Sequence, residues 1–385
     1  MKGLEGIRWR TLISILSFAL PGFSPAIAAA QESPAAPHIA AKGPPQSAID
    51  GDGTVHLPAI SVPFSSLASP QAKAEFLEMA AHPLPSPADG LTEWREAMNK
   101  QVYAPLVARL KDLFPVSIRS ETIAGVYTEV ITPKNGVSRK NKDRVLINLH
   151  GGAFMVGGRT PNGGGIWAGP QESIRIAHEG MIKVVTLDYR MFPEYKFPAA
   201  TEDVAAVYKE LLKQYPAENI GIYGCSAGGM LTAQAVAWFQ AHGLPRPGAI
   251  GIFCAGATAG MEGDSAYVAP ALNGADAQPA TAPLGYFVGA DPKDPLLSPG
   301  SSPATLAKFP PTLVITGTRD MALSAAVHTH AELVKTGVEA DLHVWEGIGH
   351  GKLYDPTTPE GRDATNVIVK FFDKHLDVTK RKSAR

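Results

Sequence analysis

Short runs of apolar residues recur along the chain from about residue 115 onward. Runs such as 145–149 and 249–253 are mostly aliphatic, which is typical of strands buried on both faces of a sheet. The first two predicted strands form a hairpin about Ala124 and Gly125. The predicted strands are Val116–Ile123, Val126–Thr132, Val145–Leu149, Val184–Leu187, Ile220–Tyr223, Ala249–Phe253, Thr312–Thr316 and Leu342–Trp345.

Segments with a helical period separate most of these strands. The predicted helices are Pro170–Glu179, Pro198–Gln214, Ala227–His242, Leu323–Thr336 and Pro359–His375. Strands that alternate with helices favour an α/β fold, in which helices cover both faces of a mostly parallel sheet. Ligands of such sheets bind beyond the carboxyl ends of the strands, so we expect the functional residues there.

Two more helical segments, Pro70–Met79 and Leu91–Leu113, precede the first strand. The second is amphipathic, because four apolar side chains fall on one face of it: Trp94, Met98, Val102 and Leu106. This face packs on the main core or caps the site. We interpret residues 69–114 as an N-terminal helical cap and residues 115–378 as the α/β domain.

The amino-terminal residues 1–30 have the pattern of an export signal. Basic residues at positions 2, 8 and 10 precede an apolar run over 11–23, and small residues end at Ala30, near which we expect cleavage. The run is too short to span a bilayer comfortably, so we predict a periplasmic or secreted protein with no stable membrane span. Residues 31–68 are rich in proline and alanine and are interpreted as an arm or linker.

Composition adds limits to this picture. The 385 residues are 45% hydrophobic and 18% charged, an ordinary balance with enough chain for one large domain. The net charge of -1 gives no reason to expect nucleic acid or an anionic membrane as a partner. Cys225 and Cys254 end two strands that we expect to be neighbours, so a disulfide is left open.

The candidate nucleophile lies between a predicted strand and a predicted helix. The residues 224–228 read Gly-Cys-Ser-Ala-Gly, a pattern that holds a serine on a strained turn above the sheet edge. Gly224 and Gly228 flank Ser226 because side chains there would collide with the neighbouring strand and helix. The positive end of the helix dipole lies where an oxyanion would form.

An acyl-transfer site also needs a base, an orienting acid and oxyanion donors. His350 follows the last predicted strand and Asp320 the strand before it, which gives the order Ser, Asp, His of α/β-hydrolases. Asp291 and Asp294 are alternative acids.

The sequence His-Gly-Gly-Ala-Phe at 150–154 offers backbone N–H groups for an oxyanion hole. We predict that Gly151, Gly152 and Ala227 donate to it. His150 is interpreted as a residue that shapes the loop. We expect neither a metal nor a cofactor.

These motifs together resemble the hormone-sensitive-lipase-like branch of the α/β-hydrolases, the bacterial family IV esterases, over about residues 115–375. The resemblance implies an eight-stranded sheet, a helical cap and cofactor-free hydrolysis of short- to medium-chain carboxylic esters. It also implies the oxyanion hole named above. The chain departs from the family at Ala153, where a third glycine is usual, and at Cys225. The motifs are His150–Phe154, Asp188–Arg190, Pro193–Glu194, Phe197–Ala200, Gly224–Gly229, Asp320 and His350–Gly351.

We therefore predict a serine esterase that cleaves a small-molecule ester through an acyl-enzyme intermediate. An amidase, a lactonase or a deacetylase would use the same residues, and a ligand-binding protein on a hydrolase fold is the alternative from another class. The oligomeric state is open, with a homodimer among the options. We expect the substrate to meet an apolar wall formed by Phe154, Met155, Trp167 and Met191.

Overall fold

The computed structural model describes residues 48–82, 84–85, 90–159, 165, 167–274 and 284–376. The expected signal peptide lies outside the described residues, as does the first part of the arm. The chain divides into two units, Met1–Ser61 and Val62–Arg385. No helix of the described part of the chain is both long and apolar enough to cross a membrane.

The described part of the first unit contains a short antiparallel hairpin, β1 (Ala48–Ile49) with β2 (Val55–His56). The His56 ring lies 2.7 Å from the Asp50 carboxylate across this hairpin. The sequence did not predict it, because strands of two residues are too short to show an alternating pattern.

The second unit is built on an eight-stranded sheet in the order β10-β9-β8-β7-β5-β6-β4-β3. Strand β4 runs antiparallel to both β3 and β6, and the other neighbours are parallel. The predicted α/β fold with a mostly parallel sheet is thus confirmed. The strands are β3 Val116–Ile123, β4 Val126–Pro133, β5 Val145–Leu149, β6 Lys183–Leu187, β7 Ile220–Cys225, β8 Ala249–Phe253, β9 Thr312–Arg319 and β10 Ala340–Gly349.

The predicted helices are present, with ends shifted by a few residues at most. Two helices, α7 and α8, were not predicted, because α7 carries Pro270 inside it and α8 has only four residues. The helices are α1 Pro70–Ala81, α2 Leu91–Ala97, α3 Ala104–Leu113, α4 Ala168–Gly180, α5 Ala199–Leu211, α6 Ala227–Ala241, α7 Asp264–Leu272, α8 Pro303–Leu306, α9 Leu323–Lys335 and α10 Pro359–His375.

Two hydrophobic clusters share the central strands. Ile147 of β5 belongs to one cluster and its neighbour Leu146 to the other, and the same alternation separates Ile222 from Tyr223 in β7. Successive side chains of a strand point to opposite faces, so both faces of the sheet are buried. This burial accounts for the continuous apolar runs in the sequence.

The segment predicted as one regular helix over 91–113 contains a π-helical stretch at Met98–Tyr103, between α2 and α3. Met98 is buried at its start, whereas Val107 and Leu110 are buried after it and the predicted Leu106 is only partly buried. A π-helical turn contains an extra residue, so the residues that face the core after the stretch are shifted by one position from the predicted apolar stripe.

Candidate active site

Ser226 lies at the sharp turn between β7 and α6. Its backbone adopts φ 58° and ψ −122°, a conformation that L-residues rarely adopt. A Cβ on Gly224 would come within 2.2 Å of the Leu149 carbonyl oxygen, and one on Gly228 within 1.7 Å of it. The turn therefore needs glycine at both positions, for the steric reason given from the sequence.

The structure brings the three predicted residues Ser226, His350 and Asp320 into one hydrogen-bonded chain. His350 Nε2 lies 2.8 Å from Ser226 Oγ, and Nδ1 lies 2.7 Å from Asp320 Oδ1. Because the carboxylate only accepts, Nδ1 carries the proton and Nε2 faces the serine as an acceptor. The arrangement has the geometry of a nucleophile, a base and an orienting acid.

Hydrogen bonds fix the Asp320 carboxylate on both oxygens. Oδ1 also accepts from the Ala322 N–H at 2.8 Å, and Oδ2 accepts from Thr316 Oγ1 at 2.9 Å. Burial by itself would raise the pKa of Asp320, but the charge of His350 and these hydrogen bonds outweigh it and lower the pKa. The acid therefore stays ionised and holds the imidazole in one orientation.

Burial alone would lower the pKa of His350, but the charge of Asp320 and its hydrogen bond outweigh burial and raise the pKa above 6.5. Asp320 is fully buried, whereas 24% of the His350 side chain is exposed. The imidazole is thus open to the solvent side of the site while its partner is closed to water.

The alternative acids have another use. Asp291 Oδ1 accepts from the Lys293 N–H and Asp294 Oδ1 from the Leu296 N–H, both at 2.9 Å. Such bonds to the backbone two residues on are typical of Asx turns. Both aspartates build the loop in which they lie.

The structure contradicts the prediction that Gly151 donates to an oxyanion. The N–H of Gly151 donates to Glu172 Oε1 at 2.8 Å in a buried contact, so it is engaged and does not face an oxyanion. The Gly151 carbonyl accepts from His150 Nδ1 at 2.7 Å. Burial lowers the pKa of His150 to about 4, so the ring is neutral and its proton lies on Nδ1.

The N–H groups of Gly152 and Ala227, the other two predicted donors, are available. The C=O and N–H of a trans peptide point in opposite directions, so the bond from His150 to the Gly151 carbonyl turns the Gly152 N–H the other way. Among the described residues, no acceptor takes the Gly152 N–H. Ala227 is the first residue of α6, where backbone N–H groups have no intrahelical partner.

Ala153 follows with φ 55°, a left-handed conformation that glycine adopts at less cost. This conformation explains why a glycine is usual where this chain has alanine.

Glu172 of α4 was not predicted as a site residue. Its Oε2 accepts from Asn148 Nδ2 at 2.9 Å, and Asn148 Oδ1 in turn accepts from Thr186 Oγ1 at 2.8 Å. Burial raises the pKa of Glu172 to about 8, against the donors around it, which lower it. A glutamate near the start of a helix usually faces solvent, so the sequence carried no signal for this contact.

The four predicted substrate-binding residues differ in burial. The prediction for Phe154 is wrong, because its ring is fully buried and stacks on Tyr286 at a centroid distance of 4.5 Å. Trp167 and Met191 pack against the two core clusters, and only Met155 is a partly exposed loop residue outside them. None of the four lines the cavity of about 560 Å³ between segments 259–267 and 287–298.

Arg95 of α2 joins the N-terminal helices to the site. Its Nε donates to the Met155 carbonyl at 2.6 Å and its Nη2 to the Phe192 carbonyl at 2.7 Å. The same guanidinium pairs with Glu194 at 2.7 Å. One side chain therefore ties α2 to the loop after β5 and to the segment after β6, a contact that no local pattern in the sequence predicts.

Both cysteines are buried free thiols: Cys225 ends β7, and Cys254 directly follows the neighbouring strand β8. The Cys254 sulfur, an Asp320 oxygen and a His350 nitrogen lie within 4.8 Å of one another, a set that could hold a metal ion. However, Asp320 and His350 already bond to each other, and His350 bonds to Ser226, so a metal here would break the chain described above.

Residues 146–353 match the family described as alpha/beta hydrolase fold. The match covers more than half of the chain and includes every element that carries the site. The chain therefore belongs to this family.

Relatives narrow the class. An acetyl-hydrolase of Streptomyces hygroscopicus is 31% identical over 238 residues, 59% of this chain and 75% of the relative. The crystal structure of esterase E25 superposes with a TM-score of 0.69 at 34% identity, over 84% of this chain and 99% of that one. An esterase of the bacterial hormone-sensitive lipase family gives a TM-score of 0.63 at 26% identity, over 80% and 97%. The protein is a carboxylic ester hydrolase that resembles the bacterial hormone-sensitive lipase family, as predicted.

Proposed function

We propose that this esterase cleaves short- to medium-chain carboxylic esters through an acyl-enzyme on Ser226. The observation that carries the proposal is the 2.8 Å contact between His350 Nε2 and Ser226 Oγ, with Asp320 on the other side of the ring. A serine, a base and an orienting acid in this geometry are what acyl transfer requires.

The reaction has two halves. Ser226 Oγ gives its proton to His350 Nε2 and attacks the ester carbonyl, and the imidazolium then protonates the leaving alcohol. A water next gives its proton to His350 and attacks the acyl-enzyme, and the imidazolium returns a proton to Ser226 as the carboxylic acid leaves. Asp320 stabilises the imidazolium in both halves, because its carboxylate is ionised and bonded to Nδ1.

The oxyanion that forms in each half accepts from the N–H groups of Gly152 and Ala227. This assignment is supported by the orientation of the Gly152 peptide and by the position of Ala227 at the start of α6. Donors fixed before the reaction stabilise the developing charge, and the loss of one such donor costs about a hundredfold to a thousandfold in kcat.

The test is hydrolysis of nitrophenyl esters from acetyl to palmitoyl by the wild type and by Ser226→Ala. We expect a maximum at short acyl chains and a fall in kcat of roughly 10⁶ in the variant. Ser173→Ala is the control for loss of a serine hydroxyl, since Ser173 is fully buried and bonds to the Tyr223 hydroxyl rather than to His350. Near-normal turnover by Ser226→Ala would refute the mechanism.

The same experiment separates the alternatives. A maximum at palmitoyl would refute the chain-length proposal while leaving the mechanism intact. Faster cleavage of a matched nitroanilide than of the nitrophenyl ester would make the protein an amidase. A fluorophosphonate that labels wild-type Ser226 without any turnover would favour a specialised substrate.

A further inference from the structure

Glu172 contacts three parts of the site from one buried side chain. Its carboxyl group accepts from the Gly151 N–H at 2.8 Å and from Asn148 at the end of β5 at 2.9 Å. The backbone N–H of Cys225, the residue before Ser226, also bonds to this carboxyl group and lowers the pKa of Glu172. The side chain is 5% exposed. Burial of a carboxyl group lowers the stability of the folded protein unless the group is fully hydrogen-bonded. A functional role would explain why this group is kept in the core.

The contact with Gly151 bears on the oxyanion donor. Glu172 holds the N–H side of Gly151, and His150 holds the carbonyl side at 2.7 Å. Both peptide planes that meet at Gly151 are therefore fixed by side chains, and the second plane carries the Gly152 N–H. A Cβ on Gly151 would lie 3.3 Å from Glu172 Oε1 and 3.5 Å from Ser226 Cβ, so this clamp is next to the nucleophile.

We propose that Glu172 is a positioning residue for ester hydrolysis: its carboxyl group holds the Gly151 peptide so that the neighbouring Gly152 N–H points at the oxyanion. The inference rests on the proposed function of the site. The effect of Glu172 on the rate depends on the length and acceptor geometry of its side chain and not on its charge. A misplacement of about 1 Å at a reacting centre can cost 10²-fold in rate, which sets the scale of the expected effect.

Two substitutions separate geometry from charge. Glu172→Gln keeps the length and one acceptor oxygen for Gly151, and its amide can satisfy Asn148 after a flip, because Thr186 Oγ1 accepts as well as donates. Glu172→Asp keeps the carboxyl group but is one methylene shorter, so it cannot reach both Gly151 and Asn148. The proposal predicts an active glutamine variant and an impaired aspartate variant.

The measurement is kcat and KM on a nitrophenyl ester, with thermal unfolding of each variant. We expect Glu172→Gln to retain kcat within about threefold and Glu172→Asp to lose about tenfold to a hundredfold, with little change in KM. Ser173→Ala, on the same helix, removes a buried hydrogen bond to Tyr223 that does not touch the loop. It is expected to lower the melting temperature and to keep kcat.

Three results would overturn the proposal. They are an unchanged kcat in Glu172→Asp, a glutamine variant worse than the aspartate variant, and a loss of kcat in Ser173→Ala equal to that in Glu172→Asp. If Glu172→Asp does not fold, Asn148→Ala tests the same carboxyl group, since it removes the donor to Oε2 that holds the group in place beside Gly151. An unchanged kcat in that variant also overturns the proposal.

The failure of this proposal can be told from failure of the proposed function. Phosphonylation of Ser226 by a fluorophosphonate also places negative charge on an oxygen that the same N–H groups stabilise. Its rate constant is measured for the wild type and for both Glu172 variants. A slower rate in Glu172→Asp alone would support the clamp even if no ester tested were hydrolysed, and equal rates in all three would refute it.

Discussion

Asp320 and His350 show how one buried carboxylate sets the chemistry of its neighbour. Burial disfavours the charged forms of both groups. Their mutual attraction, helped at the acid by two further hydrogen bonds, keeps the pKa of the acid low and that of the imidazole high. A base with a pKa near the working pH is effective in proton transfer. The pair therefore defines the acid side of the activity profile.

Asp320→Asn tests this coupling. The imidazole must be neutral to accept the Ser226 proton, so kcat/KM of the wild type is expected to fall as pH drops through a pKa above 6.5. Without the carboxylate, burial dominates and the pKa falls, so the acid limb moves to lower pH. We also expect kcat to fall by about 10³ to 10⁴.

The readout for that prediction is the pH dependence of kcat/KM for wild type, Asp320→Asn and Asp291→Asn. Asp291 only closes a turn, so its variant serves as a control with the wild-type profile. An acid limb that stays in place in Asp320→Asn would mean that another group titrates.

At the scale of elements, α1 and α3 each contribute buried residues to a core cluster of the sheet, and α2 is tied to the site by polar contacts. α2 contributes Arg95, which bonds the Met155 and Phe192 carbonyls and Glu194. Ser69 caps the start of α1, and its hydroxyl donates to Glu360 of α10 at 2.7 Å. We propose that these helices act as the cap predicted from the sequence.

Arg95→Lys tests the cap. Lysine keeps the positive charge but lacks the planar fork that bonds several acceptors at once. Hydrogen bonds to charged groups contribute about 1.5–3 kcal/mol each, so we expect KM to rise about tenfold and the melting temperature to fall by a few degrees. Lys100→Ala, at an exposed position of the π-helical stretch, is the control; equal KM values in all three proteins would show that α2 does not shape the site.

At the scale of the whole molecule, the site lies in the unit Val62–Arg385, and the expected signal at residues 1–30 lies outside the described part of the chain. We propose that the protein is exported to the periplasm or beyond it. The basic, apolar and small-residue order of residues 1–30 supports this proposal.

Cell fractionation with mass spectrometry of the recovered protein checks export. We expect the esterase activity outside the cytoplasm and a mature chain that begins near Gln31. Replacement of Arg8 and Arg10 by glutamate should retain the uncleaved protein in the cytoplasm, because the positive n-region is lost. Activity that stays in the cytoplasm of cells with the unaltered sequence would refute the proposal.

Local sequence patterns predicted most of the fold and the three hydrogen-bonded residues at the centre of the site. Strand and helix positions followed from apolar periods, and Ser226, Asp320 and His350 followed from the ends of predicted strands. The errors concern contacts between distant segments. Nothing near Gly151 reveals that its N–H meets a carboxyl group of α4, and nothing near Phe154 reveals that Tyr286 covers its ring.

The burial of both native thiols has a practical consequence for studying the cap in solution. Cys225 and Cys254 are the two cysteines of the sequence, and both are buried. A cysteine introduced at the exposed Thr92 of α2 would then be the accessible target for a maleimide dye, with no need to remove native residues first. The emission of such a dye, followed while a phosphonate inhibitor occupies Ser226, would report in real time whether the helix opens and closes.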